Sequence, residues 1–131
     1  MGPEQAIQKS VLDFLAVKKL QVKAQGGNLW FGKMHTGPLL VGNGKKIPNP
    51  MAGFPDVPCL YQRKGETRGQ LIGFEVKPPG KKLSPDQVEM HEALTEAGAI
   101  MLVVESMDDV AAFFGEYDAK QRNPRSPHDE R

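Results

Sequence analysis

Along residues 4–18, EQAIQKSVLDFLAVK, the apolar side chains Ile7, Val11, Phe14 and Leu15 recur at the three- and four-residue spacing of one helix face. Residues 20–24 and 28–34 instead alternate apolar and polar positions, the pattern of two strands, with Gly26 and Gly27 as the turn between them. Residues 35–55 are rich in Gly, Pro and Asn and show little periodicity. A connection this long inside a small domain is either functional or disordered. Residues 56–62, DVPCLYQ, read as a strand, and Pro58 argues for an edge position or an irregular start. The polar stretch RKGETRGQ then turns the chain into a second strand, LIGFEVK, at 71–77. The next helix is well punctuated: Ser84 as N-cap, Pro85 at the first helical position, Gln87 completing a capping box, and Gly98 as the stop. The apolar run AIMLVVE at 99–105 predicts a strand buried on both faces. Ser106 opens a last helix that carries Val110, Phe113, Phe114 and Tyr117, and residues 118–131 read as a polar, frayed tail.

The predicted order is helix, strand pair, loop, strand, strand, helix, strand, helix. The strand–helix–strand at 71–105 implies a parallel pair, and the hairpin at 56–77 an antiparallel one. The fold class is therefore α/β, a mixed sheet flanked by helices, in one domain over residues 1–117. Composition agrees, since a 131-residue chain that is 39% hydrophobic and 25% charged matches an ordinary globular domain. No stretch approaches the roughly 18 apolar residues of a membrane span, so no membrane partner is expected. The first residues lack the charged-then-apolar pattern of a leader, and a single cysteine, Cys59, forms no internal disulfide. A lone cysteine fits a reducing compartment, and the expected location is the cytoplasm.

Charge changes the picture. Residues 1–85 hold 13 Lys/Arg against 5 Asp/Glu, whereas residues 86–119 hold 9 Asp/Glu and no Lys/Arg. The segregation predicts a basic face for a polyanion and an acidic back. Lys45, Lys46, Lys64, Arg68, Lys81 and Lys82 fall in the predicted loops of the basic segment and are candidates for phosphate contacts. Trp30, Phe31 and Phe54 are candidates for stacking on unpaired bases, with core packing as the alternative role. Nothing resembles a helix-turn-helix or zinc-finger reader, so DNA would be recognised by shape rather than sequence.

The candidate chemistry sits in FEVK, residues 74–77. Strand residues two apart share a face, so Glu75 and Lys77 project together while Phe74 and Val76 point the other way. Asp56 begins the partner strand and can lie beside Glu75. Two carboxylates brought together repel unless something positive joins them. Mg²⁺ or Mn²⁺ does so with oxygen ligands, water and substrate phosphate, and a nearby lysine stabilises charge developing on the phosphate. The bland alternative is an exposed strand ion pair, worth at most about 1 kcal/mol.

GFPD at 53–56, GFEVKPPGKKLSPDQ at 73–87 and HEALTEAGAIMLVVESMDDV at 91–110 resemble the VRR-NUC family, the virus-type replication-repair nuclease branch of the PD-(D/E)XK superfamily. The resemblance implies a restriction-endonuclease-like core and a metal-dependent DNA endonuclease. Asp56 and Glu75 match the metal ligands, with the Val76 main-chain carbonyl as a third, and Lys77 matches the catalytic lysine. Gln87 matches a glutamine near the catalytic centre, although a capping box also accounts for it. Glu4 matches an acidic position that approaches the metal, although a helix-start glutamate is equally favoured by the helix dipole. His91, one turn after Gln87, either reaches substrate or packs.

Small members of the family resemble homodimeric enzymes that cut four-way junctions. The implied function is thus a homodimeric Holliday-junction endonuclease using a site near the surface. Two readings compete with it: a non-specific or flap-type nuclease, and a non-catalytic DNA-binding or scaffold protein on the same fold. In a dimer, the aliphatic PLLV at 38–41 is a candidate interface.

Overall fold

The first helix is longer than its apolar periodicity predicts. In the computed structural model, which describes residues 2–120, α1 runs over Pro3–Ala24. Residues 20–24 are thus its last turn and not a strand. Leu-Gln-Val-Lys-Ala alternates like a strand, but Val22 lies seven residues after Leu15 and continues the buried stripe of Val11 and Leu15. The helix ends where the Gly26 and Gly27 amides turn back to the Lys23 and Val22 carbonyls.

The chain then forms β1 (Asn28–Phe31), the short hairpin strands β2 (Leu39–Leu40) and β3 (Lys46–Ile47), β4 (Val57–Gln62) and β5 (Gln70–Val76). Helix α2 (Pro85–Glu96), β6 (Ile100–Val104) and α3 (Met107–Ala119) complete it. The main sheet has the order β1-β4-β5-β6. β1–β4 and β4–β5 are antiparallel, and β5–β6 are parallel across α2. This is the expected α/β architecture, a mixed sheet with helices on both faces.

One face carries the core. Leu29, Val57, Cys59, Tyr61, Ile72, Phe74, Val76 and Val104 pack on Val11, Leu15 and Val22 of α1 and on Val110 and Phe114 of α3. Phe31, also weighed for base stacking, packs against this core. α2 lies on the opposite face, where Gln87 and His91 reach Glu75.

Several expectations fail for identifiable reasons. Pro58 lies in β4, an interior strand; its carbonyl takes the Gly32 amide just beyond the end of β1, so the missing proline N–H falls where the ladder has already stopped. β6 is an edge strand, and Val103 is 47% exposed because α2 covers only part of its outer face. Ser106 stands at the N-cap of α3 without a side-chain cap bond; Asp109 instead accepts the Glu105 amide. Asp118 and Ala119 belong to α3 rather than to a tail, and residues 121–131 of that expected tail lie outside the described residues. The acidic segment is split between α2 on one face and α3 on the other, so the acids form no single back.

Candidate active site

Asp56 stands at the mouth of β4, one residue before Val57, which pairs with Phe74. Beyond that pair β5 continues without a β4 partner, and the Asp56 carboxylate takes its place: Oδ2 accepts the Val76 amide at 2.9 Å. A strand residue directs its N–H and C=O to the same neighbour. The Val76 carbonyl therefore points to the Asp56 side, as a third oxygen ligand requires.

Two glycines allow this approach. Gly53, at φ +85°, lies so close to the first turn of α2 that a Cβ there would sit 2.3 Å from the Asp86 carbonyl oxygen. Gly73, on the same face of β5 as Glu75, leaves room for Pro55: a Cβ would come within 2.6 Å of its ring. Together they hold the Gly53–Asp56 segment between α2 and β5.

Glu75 is fully buried, in contrast to the surface site expected. Its Oε2 accepts the Gln87 Nε2–H at 3.2 Å, and its Oε1 lies 3.2 Å from His91 Nε2. Gln87 bonds in two directions. Its Oε1 accepts the Ser84 amide at 2.8 Å in the capping box while its amide nitrogen holds Glu75. His91 is buried and packs, yet its packing partner is the Glu75 carboxylate, a pairing that helical periodicity alone does not show. The signal available in the sequence was its one-turn spacing from Gln87.

Burial, and then hydrogen bonding and like charge from Asp56, hold the Glu75 carboxyl well above the ordinary carboxylate range; Lys77 opposes this and Glu4 adds to it. Burial also lowers the His91 imidazole, against an upward pull from Asp56. No ion pair joins Lys77 to either carboxylate among the described residues, although its charge acts on Glu75 through space. Asp56 and Lys77 are half-buried and form the open side of the cluster. Glu4 is exposed on the first turn of α1, within electrostatic reach of Glu75.

The donor chemistry fits a hard divalent cation. Two carboxylates in contact with no paired cation, beside a carbonyl on the same side, suit an ion that takes one or two carboxylates and keeps several waters. No group of three His, Cys, Asp or Glu side chains among the described residues is arranged to hold a metal.

The six candidate DNA-binding residues are not brought together. Lys81 and Lys82 follow β5 directly after Lys77, and Lys45 and Lys46 belong to the hairpin loop whose ends, Met34 and Asp56, are hydrogen-bonded at the site. Lys64 and Arg68 lie in the β4–β5 turn, at the far end of the sheet.

Among solved structures, the chain is similar to one described as "VRR_NUC domain". The two share 24% sequence identity and a TM-score of 0.54, over 89% of this chain and 99% of that one. The fold is that of a VRR_NUC domain. No family model and no curated protein matches the sequence. At the end of the β4–β5 hairpin, Asp56 and Lys77 both act electrostatically on Glu75.

Proposed function

We propose that the protein is a metal-dependent DNA endonuclease. The observation that carries this reading is the meeting of Asp56 and Glu75, one half-buried and one fully buried, beside Lys77 with no paired cation. A buried carboxylate pair is costly, and a cluster made only for stability gains nothing from it.

Asp56, Glu75 and the Val76 carbonyl would hold Mg²⁺ or Mn²⁺, which would supply a Lewis acid and an activated water for phosphodiester hydrolysis. The other residues act by position. Gln87 and His91 fix the Glu75 carboxylate in one orientation. The Val76 amide fixes Asp56. The Lys77 ammonium, on the open side, stabilises charge that develops on the phosphate. Glu4 modulates the field without ligating.

The substrate in this reading is branched DNA, cut at a four-way junction by a homodimer whose two sites are related by two-fold symmetry. The β2–β3 hairpin offers an interface, with Leu40 and Ile47 exposed at its surface. Lys45, Lys46, Lys81 and Lys82, in the segments that flank the site, would contact phosphates. The experiment is a panel of junction, flap, splayed-arm and blunt duplex substrates, each strand labelled in turn, with Mg²⁺, with Mn²⁺ and with EDTA. Paired cuts in opposing junction strands by a dimer are expected. Cleavage of flaps in preference to junctions would leave a general branched-DNA nuclease, and binding without metal-dependent cleavage of any substrate would leave a DNA-binding protein on this fold.

A further inference from the structure

The sheet face that carries Glu75 is only partly covered. The β1–β4–β5 register places Trp30 opposite Leu60, and Leu60 opposite Leu71. Leu71 and Glu75 lie an even number of residues apart on β5, so Trp30 and Glu75 share a face. α2 covers the Glu75 end. At the other end Trp30 is 54% exposed and Leu60 46%. Around the free edge of β1 they line a cleft of about 550 Å³ with Leu20, which is 72% exposed, and with the exposed Lys19 and Lys23 of α1, the helix on the core face. Among the described residues, no acidic one lines this cleft. Neither lysine is taken up in an ion pair among the described residues, whereas Lys9 and Lys18 of the same helix are.

We infer that this cleft receives an unpaired nucleobase of the DNA substrate, stacked on Trp30, with Lys19 and Lys23 on the adjoining phosphates. An exposed indole gives a stacking plane for any base, the leucines give an apolar floor, and two unpaired ammonium groups complement a phosphate backbone. An aromatic plane whose charged neighbours among the described residues are all cations suits this ligand better than a second protein copy, whose interface core is usually depleted of charge. Four residues along β5 and two strand spacings across the sheet set Trp30 about 17 Å from Glu75. That is roughly five steps of about 3.4 Å along a stacked duplex strand, and fewer along an extended single strand. The exposed glutamates of α2 keep the backbone off the other side of the site. The substrate feature selected is thus a single-stranded segment within about five nucleotides of the cut. This rests on the nuclease reading and specifies what the enzyme recognises in a branched substrate.

Trp30 is the only tryptophan in the chain, so its emission reports this cleft alone. The test titrates the full protein in EDTA with a duplex carrying a five-nucleotide tail and with a blunt duplex of equal length, following fluorescence anisotropy of labelled DNA and Trp30 emission together. Quenching by the tailed DNA and not by the blunt duplex is expected. Trp30→Ala should weaken binding of the tailed DNA about tenfold, and Trp30→Phe, which keeps an aromatic plane, should restore most of it. Binding of tailed DNA with unchanged Trp30 emission would overturn the inference and leave the nuclease reading standing. An emission change that follows protein concentration without DNA, together with a doubled mass in sedimentation, would assign the cleft to a dimer and also overturn it. Absence of binding and of metal-dependent cleavage for every DNA would remove both readings.

Discussion

Two polar clusters lie on opposite faces of the sheet. On the α1–α3 face, Asp118 accepts from Tyr61 Oη at 2.7 Å and pairs with Lys18 Nζ at 2.6 Å, while Lys18 also stands 5.1 Å from the centre of the Phe114 ring. On the α2 face, Glu75 meets Asp56, Gln87 and His91. The first cluster is closed, with one carboxylate, one ammonium and one hydroxyl that satisfy each other. The second gathers two carboxylates and keeps the nearest ammonium, Lys77, outside ion-pair distance. Folding explains the first, which ties the end of α3 to α1 and β4. It does not explain the second, because like charges brought together under a helix oppose burial. The contrast separates a cluster that holds the fold from one whose opposed carboxylates folding alone leaves unexplained.

The largest effect should come from Glu75→Gln. It preserves shape and removes one of the opposed charges, so metal-dependent cleavage should fall by at least about a hundredfold. The unfolding free energy should stay level or rise by about 1 kcal/mol. Asp56→Ala should lose cleavage equally. Urea unfolding and strand-cleavage rates on the same preparations measure both. A Glu75→Gln protein that cleaves normally but unfolds more easily would reverse the assignment and make the α2-face cluster the structural one.

Asp118→Ala should show the opposite pattern. It leaves Lys18 and the Tyr61 hydroxyl without their shared acceptor, at a cost of about 2 kcal/mol in unfolding free energy. Cleavage well below the melting temperature should not change, since the residue lies across the sheet from Glu75. A fall in cleavage without a fall in stability would mean that the two faces are coupled.

The two clusters were unequally legible in the sequence. Glu75, Lys77 and the core-facing Phe74 and Val76 follow from strand alternation within four residues, and Asp56 follows from the hairpin that pairs β4 with β5. Gln87 was legible as a cap because capping is local. Its second bond, to a residue 12 positions back, depends on how α2 crosses the sheet. The Tyr61–Asp118–Lys18 cluster left no trace in local pattern, since its pairs lie 57 and 100 residues apart. The end of α1 misread for a related reason. Residues 20–24 satisfy the strand period locally, and only the packing of Val22 beside Leu15 decides for helix. Charge counts foretold a basic segment but not its division between the site end of the sheet and the β4–β5 turn, which is a matter of topology.

Gln87→Glu sharpens the comparison at its boundary, because Gln87 belongs to both a helix cap and the site. A glutamate at this position still accepts the Ser84 amide, so the cap survives. Its other oxygen then faces Glu75 where an N–H stood. Cleavage should fall about tenfold, the usual cost of disturbing a group that orients a ligand, with a stability change below about 1 kcal/mol. Equal, small effects on both would confine Gln87 to capping.

The smallest effect expected is a rate that should not move. Cys59 lies on β4, on the core face behind the site, and burial pushes its thiol up to about 12. An ordinary cysteine near 8.5 is substantially thiolate at pH 8; a thiol held this high is almost wholly protonated there and at pH 9. Modification by a disulfide reagent should therefore be slow in the folded protein and fast in urea. Labelling then measures how often the sheet opens, and a 2 kcal/mol loss of stability raises that frequency about thirtyfold when opening is global. Asp118→Ala should accelerate labelling by about that factor, whereas Glu75→Gln should label at the wild-type rate or up to about fivefold more slowly. Faster labelling in Glu75→Gln would mean that its lost cleavage reflects an opened sheet rather than a lost ligand, and the distinction between the two clusters would fail at the residue on which it depends most.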